Sequence, residues 1–299
     1  MKQKDSGKKL TGALGFDEYY KALYGERWPV LKEALSRENI YVELSWNRES
    51  YFMDPGSIVA AMCLPVDGAE KLLDLCAAPG GKTLVLAGIK NKECCLKSNE
   101  RSAPRKARLD KVVESVLPEE VLPAVVTSHS DGALWCKRES EAYDSILLDA
   151  PCSSERHVLA DSKYLNDWSP SRIRTLSMEQ WSLMSSAWRL LKKEGFLLYG
   201  TCALSRDEND GVVSKLLKKF DDAEICSGEY VHEVFLHNVS SFSGTMKSEL
   251  SENVSEYLKK IFSLAVQTEY GFHIRPDCAE GAGPLYFSLI KKNKQKLKK

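Results

Sequence analysis

Short apolar runs alternate with longer helical stretches along the chain from Lys71 onward. The short runs are rich in Val, Ile and Leu, which favours buried strands, and the stretches between them are long enough for helices. This alternation is typical of an α/β fold in which helices cover a parallel sheet. The predicted strands are KLLDLCA, ECCLKSNE, AVVTSHSD, DSILLDAP and GFLLYGTC.

Two of the helices between these strands have clear start signals. Ser102 is a predicted N-cap for RKARLDKVVESVL, with Pro104 just inside the helix, and Ser169 precedes Pro170 in the same way before MEQWSLMSSAWRLLKK. Proline is well tolerated in the first helical turn because the amide there has no intrahelical partner. We expect the second helix to run to Lys192 and Lys193, whose charges favour a helix C-terminus, and to stop at Gly195.

The chain before the first predicted strand has a different pattern. FDEYYKALYGERWPVLKEAL and SIVAAMCL both favour helices. We therefore predict two units, an N-terminal helical segment over residues 1–66 and a sheet domain over 67–299. A serine-rich stretch from about His232 to Lys260 has no strong period and is predicted to be a loop or an irregular hairpin connection.

Composition limits the class of protein. The 299 residues are 43% apolar and carry zero formal net charge, so any attraction to nucleic acid must come from local patches. Basic runs near both ends, MKQKDSGKKL and KKNKQKLKK, are better explained as solvated termini than as RNA contacts. No signal peptide, membrane span or zinc site is predicted. Nine scattered cysteines indicate a reducing compartment, with the cytoplasm favoured and mitochondria left open.

The segment KLLDLCAAPGGKT ends like a phosphate-binding loop. A Walker-type loop also needs a glycine five residues before Gly81, where its backbone wraps the β-phosphate, and this chain has Cys76 there. Because Asp149 in SILLDAP could imitate the carboxylate that holds magnesium, a P-loop enzyme remains an alternative. It ranks second.

A ligand that contains adenosine would account for every part of this segment. An apolar strand, a tight turn at Gly80 and Gly81, and a helix start near Lys82 can hold a ligand that contains adenosine. Glu100 ends the second predicted strand, where a carboxylate accepts hydrogen bonds from ribose hydroxyls. Asp131 ends the third and is a candidate contact for adenine. Ligands in open α/β sheets bind beyond the carboxyl ends of the strands, which favours this interpretation.

The fourth and fifth predicted strands both end near a thiol. Cys152 follows one in LLDAPCSS, and Cys202 follows the other in LLYGTCALS. A buried cysteine is most often a small apolar residue. Here both thiols are expected at the same edge of the sheet as the glycine turn, where a thiolate can meet a substrate.

Four motifs carry a resemblance to a known family. DLCAAPGGKT, NERSAPRKARL, LLDAPCSS and YGTCALSRDEND resemble the Sun-type (NSUN/Fmu) RNA cytosine-5 methyltransferases, and the likeness extends from about Phe16 to Lys292. Three further segments are most similar to the branch with mitochondrial ribosomal and transfer RNA enzymes: FDEYYKALYGERWPVL, PCSSERH and GPLYFSLIKK. The resemblance implies a Rossmann-like S-adenosylmethionine-dependent methyltransferase fold, with helices on both faces of the sheet.

The same resemblance implies a reaction and its participants. S-adenosylmethionine is the expected cofactor and RNA the expected partner, with ribosomal RNA favoured over transfer RNA and a ribosome-assembly protein left open. The product is 5-methylcytosine. Neither a metal nor a membrane is implied. The alternative from another class is an RNA-binding assembly factor with a vestigial cofactor pocket.

Residue roles follow from the resemblance. Cys202 is the thiol that attacks carbon 6 of cytosine, Cys152 assists release, and Asp149 contacts the ring nitrogens with Lys82 nearby. The chemistry alone does not order the two thiols, since DNA cytosine methyltransferases attack with a Pro-Cys cysteine. The expected cofactor contacts are Cys76, Ala77, Ala78, Pro79, Gly80, Gly81, Lys82, Glu100, Arg105, Asp131 and Asp149.

Two departures from the family pattern lie beside the thiols. Ala203 stands where a serine is usual, and Ser153-Ser154 replace the commoner Ser-Gly. Trp168 and Tyr199 are nearby aromatic residues that could stack on a base, although such residues more often belong to a core.

Overall fold

A mixed sheet of nine strands runs through the computed structural model, which describes residues 11–294. A second sheet has three strands. The strands are β1 Val42–Ser45, β2 Tyr51–Met53, β3 Lys71–Asp74, β4 Cys95–Glu100, β5 Val125–His129, β6 Tyr143–Asp149, β7 Leu191–Thr201, β8 Ala223–Ile225, β9 Thr245–Lys247, β10 Val266–Gln267, β11 Phe272–Ile274 and β12 Leu285–Lys292.

Helices cover the large sheet and form the N-terminal region. They are α1 Gly12–Tyr24, α2 Trp28–Ser36, α3 Pro55–Met62, α4 Gly81–Ile89, α5 Ala103–Val116, α6 Glu155–Ala160, α7 Ser162–Asn166, α8 Pro170–Leu190, α9 Asp210–Lys219, α10 Gly228–Ser241 and α11 Val254–Ser263. Most of the two basic termini lies outside the described residues.

The large sheet has the order β10-β11-β12-β7-β6-β3-β4-β5, and β8 pairs with the C-terminal end of β12. Strands β3 to β7 are parallel to one another, and β12 is antiparallel to β7. All five predicted strands are confirmed as β3 to β7. Chain order reverses between β3 and β6, which is where ligands bind in sheets of this kind.

The positions of the two predicted helix starts are also confirmed, as α5 and α8, but neither Ser102 nor Ser169 makes a side-chain capping hydrogen bond. The predicted end of α8 is wrong by three residues, because the helix stops at Leu190 and the two lysines belong to β7. Lys192 lies 2.7 Å from Asp144 on the neighbouring strand β6. The charge of Lys192 therefore forms an ion pair between two strands, whereas the sequence analysis expected it to stabilise the C-terminus of α8 through the helix dipole.

The N-terminal helical prediction holds for α1, α2 and α3, with a 3-10 turn at Gly25–Arg27 between the first two. Residues 42–53 also form the hairpin of β1 and β2, which was not predicted because its strands have only four and three residues. Helix α3 is buried against α4, α10 and α11, in the main core. A domain boundary after residue 66 stays a prediction.

An aromatic cluster joins α1 and α2 to the loops that follow β6 and β7. Phe16, Tyr20 and Trp28 pack with Trp168, and their ring centroids are between 4.7 and 6.2 Å apart. Tyr24 adds a hydrogen bond of 2.8 Å from its hydroxyl to the carbonyl oxygen of Leu204. The first helix thus supports the segment just after Cys202.

The predicted loop from His232 to Lys260 is wrong. This stretch contains most of α10, strand β9 and much of α11. Serines sit mainly on the outer faces, while the inner face of α11 has Val254, Tyr257, Leu258 and Ile261 at helical spacing. Strand β9 pairs with β1 and completes the three-stranded sheet.

Asn238 fixes α10 to the main core. Its side-chain amide is buried and donates to the carbonyl oxygens of Met62 and Leu64 at 2.8 and 2.9 Å. Met62 is the last residue of α3 and Leu64 lies two residues beyond it, so the amide supplies a donor to carbonyls at and just after the helix C-terminus.

We expect Asn238→Ala to lower the free energy of unfolding by about 1 to 3 kcal/mol, since two buried carbonyls lose their donor. Urea denaturation followed by circular dichroism measures the change. Ser240→Ala is the matched control on the same helix, because Ser240 is exposed and bonds only within α10. Equal stability of the two variants would contradict the anchoring role.

Candidate active site

Two cavities flank the glycine-rich loop at the carboxyl edge of the large sheet. The first, of about 250 Å³, is lined by the predicted residues Cys76, Ala77, Ala78, Pro79, Gly81, Lys82 and Asp149. The second, of about 80 Å³, is lined by Cys76, Glu100, Arg105 and Asp131. Cys76 borders both cavities. The structure therefore brings the predicted cofactor residues together on the two sides of one loop.

The loop itself is held closely against α5. Gly80 has φ +125°, and a Cβ atom there would lie 2.9 Å from Cγ1 of Val112. The Arg105 guanidinium donates to the carbonyl oxygen of Ala78 at 2.7 Å, and the Ala77 amide donates to Asn99 at 2.7 Å. Only glycine adopts this turn without strain and steric overlap.

Glu100 and Asp131 differ in their surroundings. Glu100 is buried, and its Oε1 accepts a hydrogen bond of 2.8 Å from the Ser102 amide. Its buried Oε2 lies 3.1 Å from Arg105 Nη1, and no hydrogen bond to Oε2 is formed by the described residues. Asp131 is exposed and accepts from the Ala133 amide at 3.0 Å. A carboxylate with spare acceptor capacity thus borders the smaller cavity.

Lys82 and Asp149 form an ion pair in the larger cavity. Lys82 Nζ lies 2.8 Å from Asp149 Oδ2 and 3.4 Å from the Ser57 hydroxyl. Burial opposes the charge on the lysine, but Asp149, and to a smaller extent Cys202, outweighs it and raises the pKa of Lys82. The site therefore keeps a cation next to the end of β6.

Asp74 is a functional candidate that sequence reasoning missed. It ends β3, is fully buried and lines the larger cavity. Its Oδ2 accepts from the Thr83 hydroxyl at 2.7 Å, while no hydrogen bond to its Oδ1 is found in the described part of the chain. Burial raises the pKa of Asp74 to about 7. The strand-end position that singled out Glu100 applies equally to Asp74.

The two predicted thiols lie in direct contact, although neither lines the two cavities. Cys152 Sγ and Cys202 Sγ are 2.8 Å apart and both side chains are half-buried. Parallel pairing places Asp149 of β6 opposite Gly200 of β7, so the short segments after these residues leave the sheet side by side. The register of two strands thus brings together thiols that are far apart in sequence.

Two buried carboxylates lie behind the thiols. Glu155 accepts from the Tyr20 and Ser153 hydroxyls through Oε1, and from the Leu204 amide at 2.9 Å through Oε2. Glu208 accepts through Oε1 from the Ser153 amide at 2.9 Å and from Gln180 at 3.0 Å. Both acids therefore fix the segments that follow the cysteines.

The electrostatic effect of this arrangement falls on Cys152. Its hydrogen bond to Cys202, its burial and the nearby charges of Cys202, Glu208 and Glu155 raise the pKa of Cys152 well above its usual value. Burial also raises the pKa of Glu208 to about 7. The Cys152 thiol is therefore held protonated at neutral pH.

Residues 61–247 match the family described as 16S rRNA methyltransferase RsmB/F. The chain belongs to this family. The resemblance to Sun-type enzymes is thereby confirmed.

Curated RsmB/F-type relatives agree. The chain is 30% identical over 249 residues to the 5-cytosine rRNA methyltransferase NSUN4 of Xenopus tropicalis, covering 81% of this chain and 56% of that protein. It is 35% identical over 175 residues to the ribosomal RNA small subunit methyltransferase F of Escherichia coli strain HS, covering 58% and 36%. The chain thus spans little more than half of the first relative and about a third of the second.

Solved structures agree with the predicted fold class. A methyltransferase homolog from Pyrococcus horikoshii superposes with a TM-score of 0.65 at 20% identity, covering 93% of this chain and 94% of that one. NSun6 from Pyrococcus horikoshii, solved with SFG, gives 0.58 at 18% identity, covering 82% and 54%. The Rossmann-like methyltransferase fold is confirmed, and membership of the RsmB/F family leaves the P-loop alternative without support.

Two aromatic residues that the sequence analysis considered for base stacking are core residues in this RsmB/F-family chain. Trp168 and Tyr199 are buried in the core, so they do not offer a free face for stacking. Within residues 11–294, no group of three or more His, Cys, Asp or Glu side chains is arranged to hold a metal ion. No helix in the same range is long and apolar enough to cross a membrane.

The raised pKa of Asp74 predicts a pH dependence of stability. An acid whose pKa is higher in the folded state stabilises the protein below the unfolded value near 4, and this contribution is lost as the pH rises to about 7. We expect Asp74→Asn to flatten the fall in unfolding free energy between pH 4.5 and 7.5, by up to about 4 kcal/mol. Urea denaturation at several pH values measures it.

Asp221→Asn is the control for this experiment because Asp221 is exposed. Glu208 contributes in the same direction in all three proteins, so its effect cancels in the comparison. A wild-type profile that Asp74→Asn leaves unchanged would show that the Asp74 carboxyl ionises normally.

Proposed function

We propose that this protein is an S-adenosylmethionine-dependent methyltransferase that forms 5-methylcytosine in RNA, with ribosomal RNA favoured over transfer RNA. The observation that carries the proposal is the contact between Cys152 and Cys202 beside the Lys82–Asp149 ion pair. Membership of the RsmB/F family supports it, as do relatives named 5-cytosine rRNA methyltransferase. A ribosome-assembly protein is a further proposed partner. Free thiols favour a reducing compartment, for which we propose the cytoplasm.

The two cavities fit S-adenosylmethionine. Glu100, with a buried oxygen that lacks a hydrogen-bond donor among the described residues, would hold the ribose, and Asp131 would contact the adenine. The turn at Gly80 and Gly81 lets the backbone approach the ligand closely, and Asp74 and Lys82 border the larger cavity. When bound there, S-adenosylmethionine supplies an electrophilic methyl group.

Carbon 5 of cytosine is too weak a nucleophile to take this methyl group directly. Addition of a cysteine thiolate to carbon 6 turns the ring into an enamine and makes carbon 5 nucleophilic. After the methyl transfer, carbon 5 loses its proton and the sulfur leaves carbon 6, which restores the aromatic ring. The enzyme thus ends each turnover with its thiolate regenerated.

The charges around the two thiols favour Cys202 as the attacking group. A charge on Cys202 contributes to the raised pKa of Lys82, which places the lysine cation near the Cys202 sulfur. Glu155 and Glu208 disfavour negative charge on Cys152. The sequence leaves the order of the two roles open, and these electrostatics support the order that the family resemblance implies.

Cys152 then acts in the release stage. Addition of Cys202 to the ring removes the hydrogen bond that contributes most to the raised pKa of Cys152, and it also removes the smaller effect of the Cys202 charge, while the effect of burial stays. Cys152 can then lose its proton to water and, as a thiolate, take the proton from carbon 5. Loss of the Cys202 thiolate from carbon 6 completes the step. The contact between the two sulfurs thus allows them to act in succession.

Lys82 and Asp149 act on the ring itself. Negative charge spreads over the cytosine ring during thiolate addition, and a nearby cation lowers the energy of that state. In the proposed complex Asp149 contacts the ring nitrogens, as the family resemblance implies. Lys82, which donates to Asp149 at 2.8 Å, holds that carboxylate in position and supplies the cation.

RNA with 5-fluorocytosine at the target position tests the proposal. Fluorine cannot leave carbon 5 as a proton does, so the covalent enzyme–RNA complex persists on a denaturing gel. We expect wild type and Cys152→Ala to be trapped and Cys202→Ala to give no complex. Cys95→Ala, at an exposed thiol on β4, is the control and should behave as wild type.

Other outcomes have defined meanings. If Cys202→Ala is trapped and Cys152→Ala is not, the roles of the thiols are reversed. If wild type binds S-adenosylhomocysteine but neither forms a complex nor methylates RNA from cells that lack the gene, the activity proposal is wrong. A Cys202→Ala protein that restores the cellular role would then favour the assembly factor.

The glycine turn gives a separate prediction for the cofactor. Gly80→Ala should weaken binding of S-adenosylhomocysteine roughly tenfold or more, because φ +125° and the contact with Val112 strain the turn. Isothermal titration calorimetry measures the Kd. Gly228→Ala is the control, since its added Cβ would meet Phe272 at an ordinary 3.4 Å. Tight binding of ATP in the same assay would revive the P-loop alternative.

A further inference from the structure

Two exposed aromatic side chains stand at the entrance of the proposed active site. Tyr41 is 48% exposed and Phe52 is 60% exposed. Both line the larger of the two cavities beside the glycine loop, and both also line a third, adjoining cavity of about 590 Å³. The aromatic pair therefore forms the rim between the proposed catalytic cavity and a wider surface depression.

The small sheet explains why these side chains are exposed. Residues on its inner face, Val42 and Met53, are buried opposite each other across β1 and β2. Phe52 is the next residue along the strand and points to the other face. Its exposure is therefore set by the strand, and its side chain contributes little to the core.

A cation lies on the same face two strands away. Phe52 pairs with Glu43 of β1, and Glu43 pairs with Lys247 of β9, which puts the three residues in one row across the sheet. Neighbouring strands are about 4.8 Å apart, so the backbone positions of Phe52 and Lys247 are separated by about 10 Å. Lys247 is exposed and lines the third cavity.

An aromatic face and a cation at this spacing suit a single nucleotide. Bases stack on aromatic side chains with little dependence on their identity, while lysine contacts phosphate. Glu43 and Glu249 also line the cavity, and their charges disfavour a long track of phosphates. They can accept hydrogen bonds from base amino groups. One stacked nucleotide fits this surface better than a duplex or a phosphate-binding groove.

We propose that Tyr41 and Phe52 form a stacking surface for the base of a nucleotide that flanks the target cytosine, with Lys247 contacting its phosphate. The inference rests on the proposed RNA methyltransferase function. It follows from continuity, because the larger cavity contains Lys82 and Asp149, the proposed contacts of the cytosine ring, in addition to part of the proposed cofactor site. RNA that brings its target base to these two residues must leave the cavity over its rim. If a protein partner bound this face instead, removal of a base next to the target cytosine would not change the effect of the aromatic variants.

Paired changes in protein and RNA test the stacking surface. The probe is a short RNA that spans the target site, which bisulfite sequencing identifies. In this RNA, 5-fluorocytosine replaces the target cytosine. A series of these RNAs carries one abasic site at each flanking position in turn. Binding is measured by fluorescence anisotropy, and covalent trapping is measured on the same samples.

We expect Phe52→Ala and Tyr41→Ala to weaken binding of intact RNA roughly five- to hundredfold. The loss should disappear for RNA that is abasic at one particular flanking position. Phe52→Trp should retain stacking, while Phe52→Leu should behave like the alanine variant despite its apolar side chain. Lys247→Ala should weaken binding and reduce its dependence on salt.

Val126→Ala is the matched control, because Val126 is 47% exposed on β5 and lies on a different sheet. The inference is overturned if the alanine variants bind RNA as wild type does, or if their loss is the same for every abasic RNA. Wild-type trapping in the same samples separates that result from failure of the proposed function. Absence of wild-type trapping would overturn both.

Discussion

The parallel pairing of β6 with β7 is the constraint on which the candidate site depends. Asp149 stands opposite Gly200, and the two thiols follow within three residues of this pair. A shift of one residue would turn every side chain of one strand to the opposite face and separate the sulfur atoms. The hydrogen-bonded register of the buried sheet thus sets the distance between the two sulfur atoms.

The chain reinforces this register with buried polar contacts. Glu155 connects Ser153, after one thiol, to Leu204, after the other, and Tyr20 connects the same carboxylate to α1. Ser154 has φ +53°, a left-handed conformation that favours glycine, at the position where the family resemblance implies glycine. This chain has a serine there, in a backbone conformation that glycine adopts more readily. The N-terminal helix thus contributes to the geometry around the thiols.

Periodicity and strand-end position were enough to predict the parallel strands, the glycine turn and the position of Cys152 and Cys202 at the same edge of the sheet. They did not predict that the two sulfur atoms are in contact. They were not enough for β1, β2 and β9, because strands of three or four residues show no reliable alternation. Asp74 was missed although it obeys the rule that selected Glu100, since an acid at the end of a strand looks like an ordinary cap until its burial is known. The contacts of Glu155 and Glu208 depend on tertiary packing, to which a local pattern is insensitive. Serines on the outer faces of α10 and α11 concealed two helices whose inner faces are apolar.

Strand β9 has a consequence for synthesis of the protein. The hairpin of β1 and β2 is made early, but its third strand comes from the far end of the chain, after every strand of the parallel sheet. On the ribosome, the hairpin must wait with one edge unpaired until that segment emerges. The surface that carries Lys247 beside Phe52 is therefore completed late in translation. A nascent chain that already contains both thiols would still lack this part of its surface.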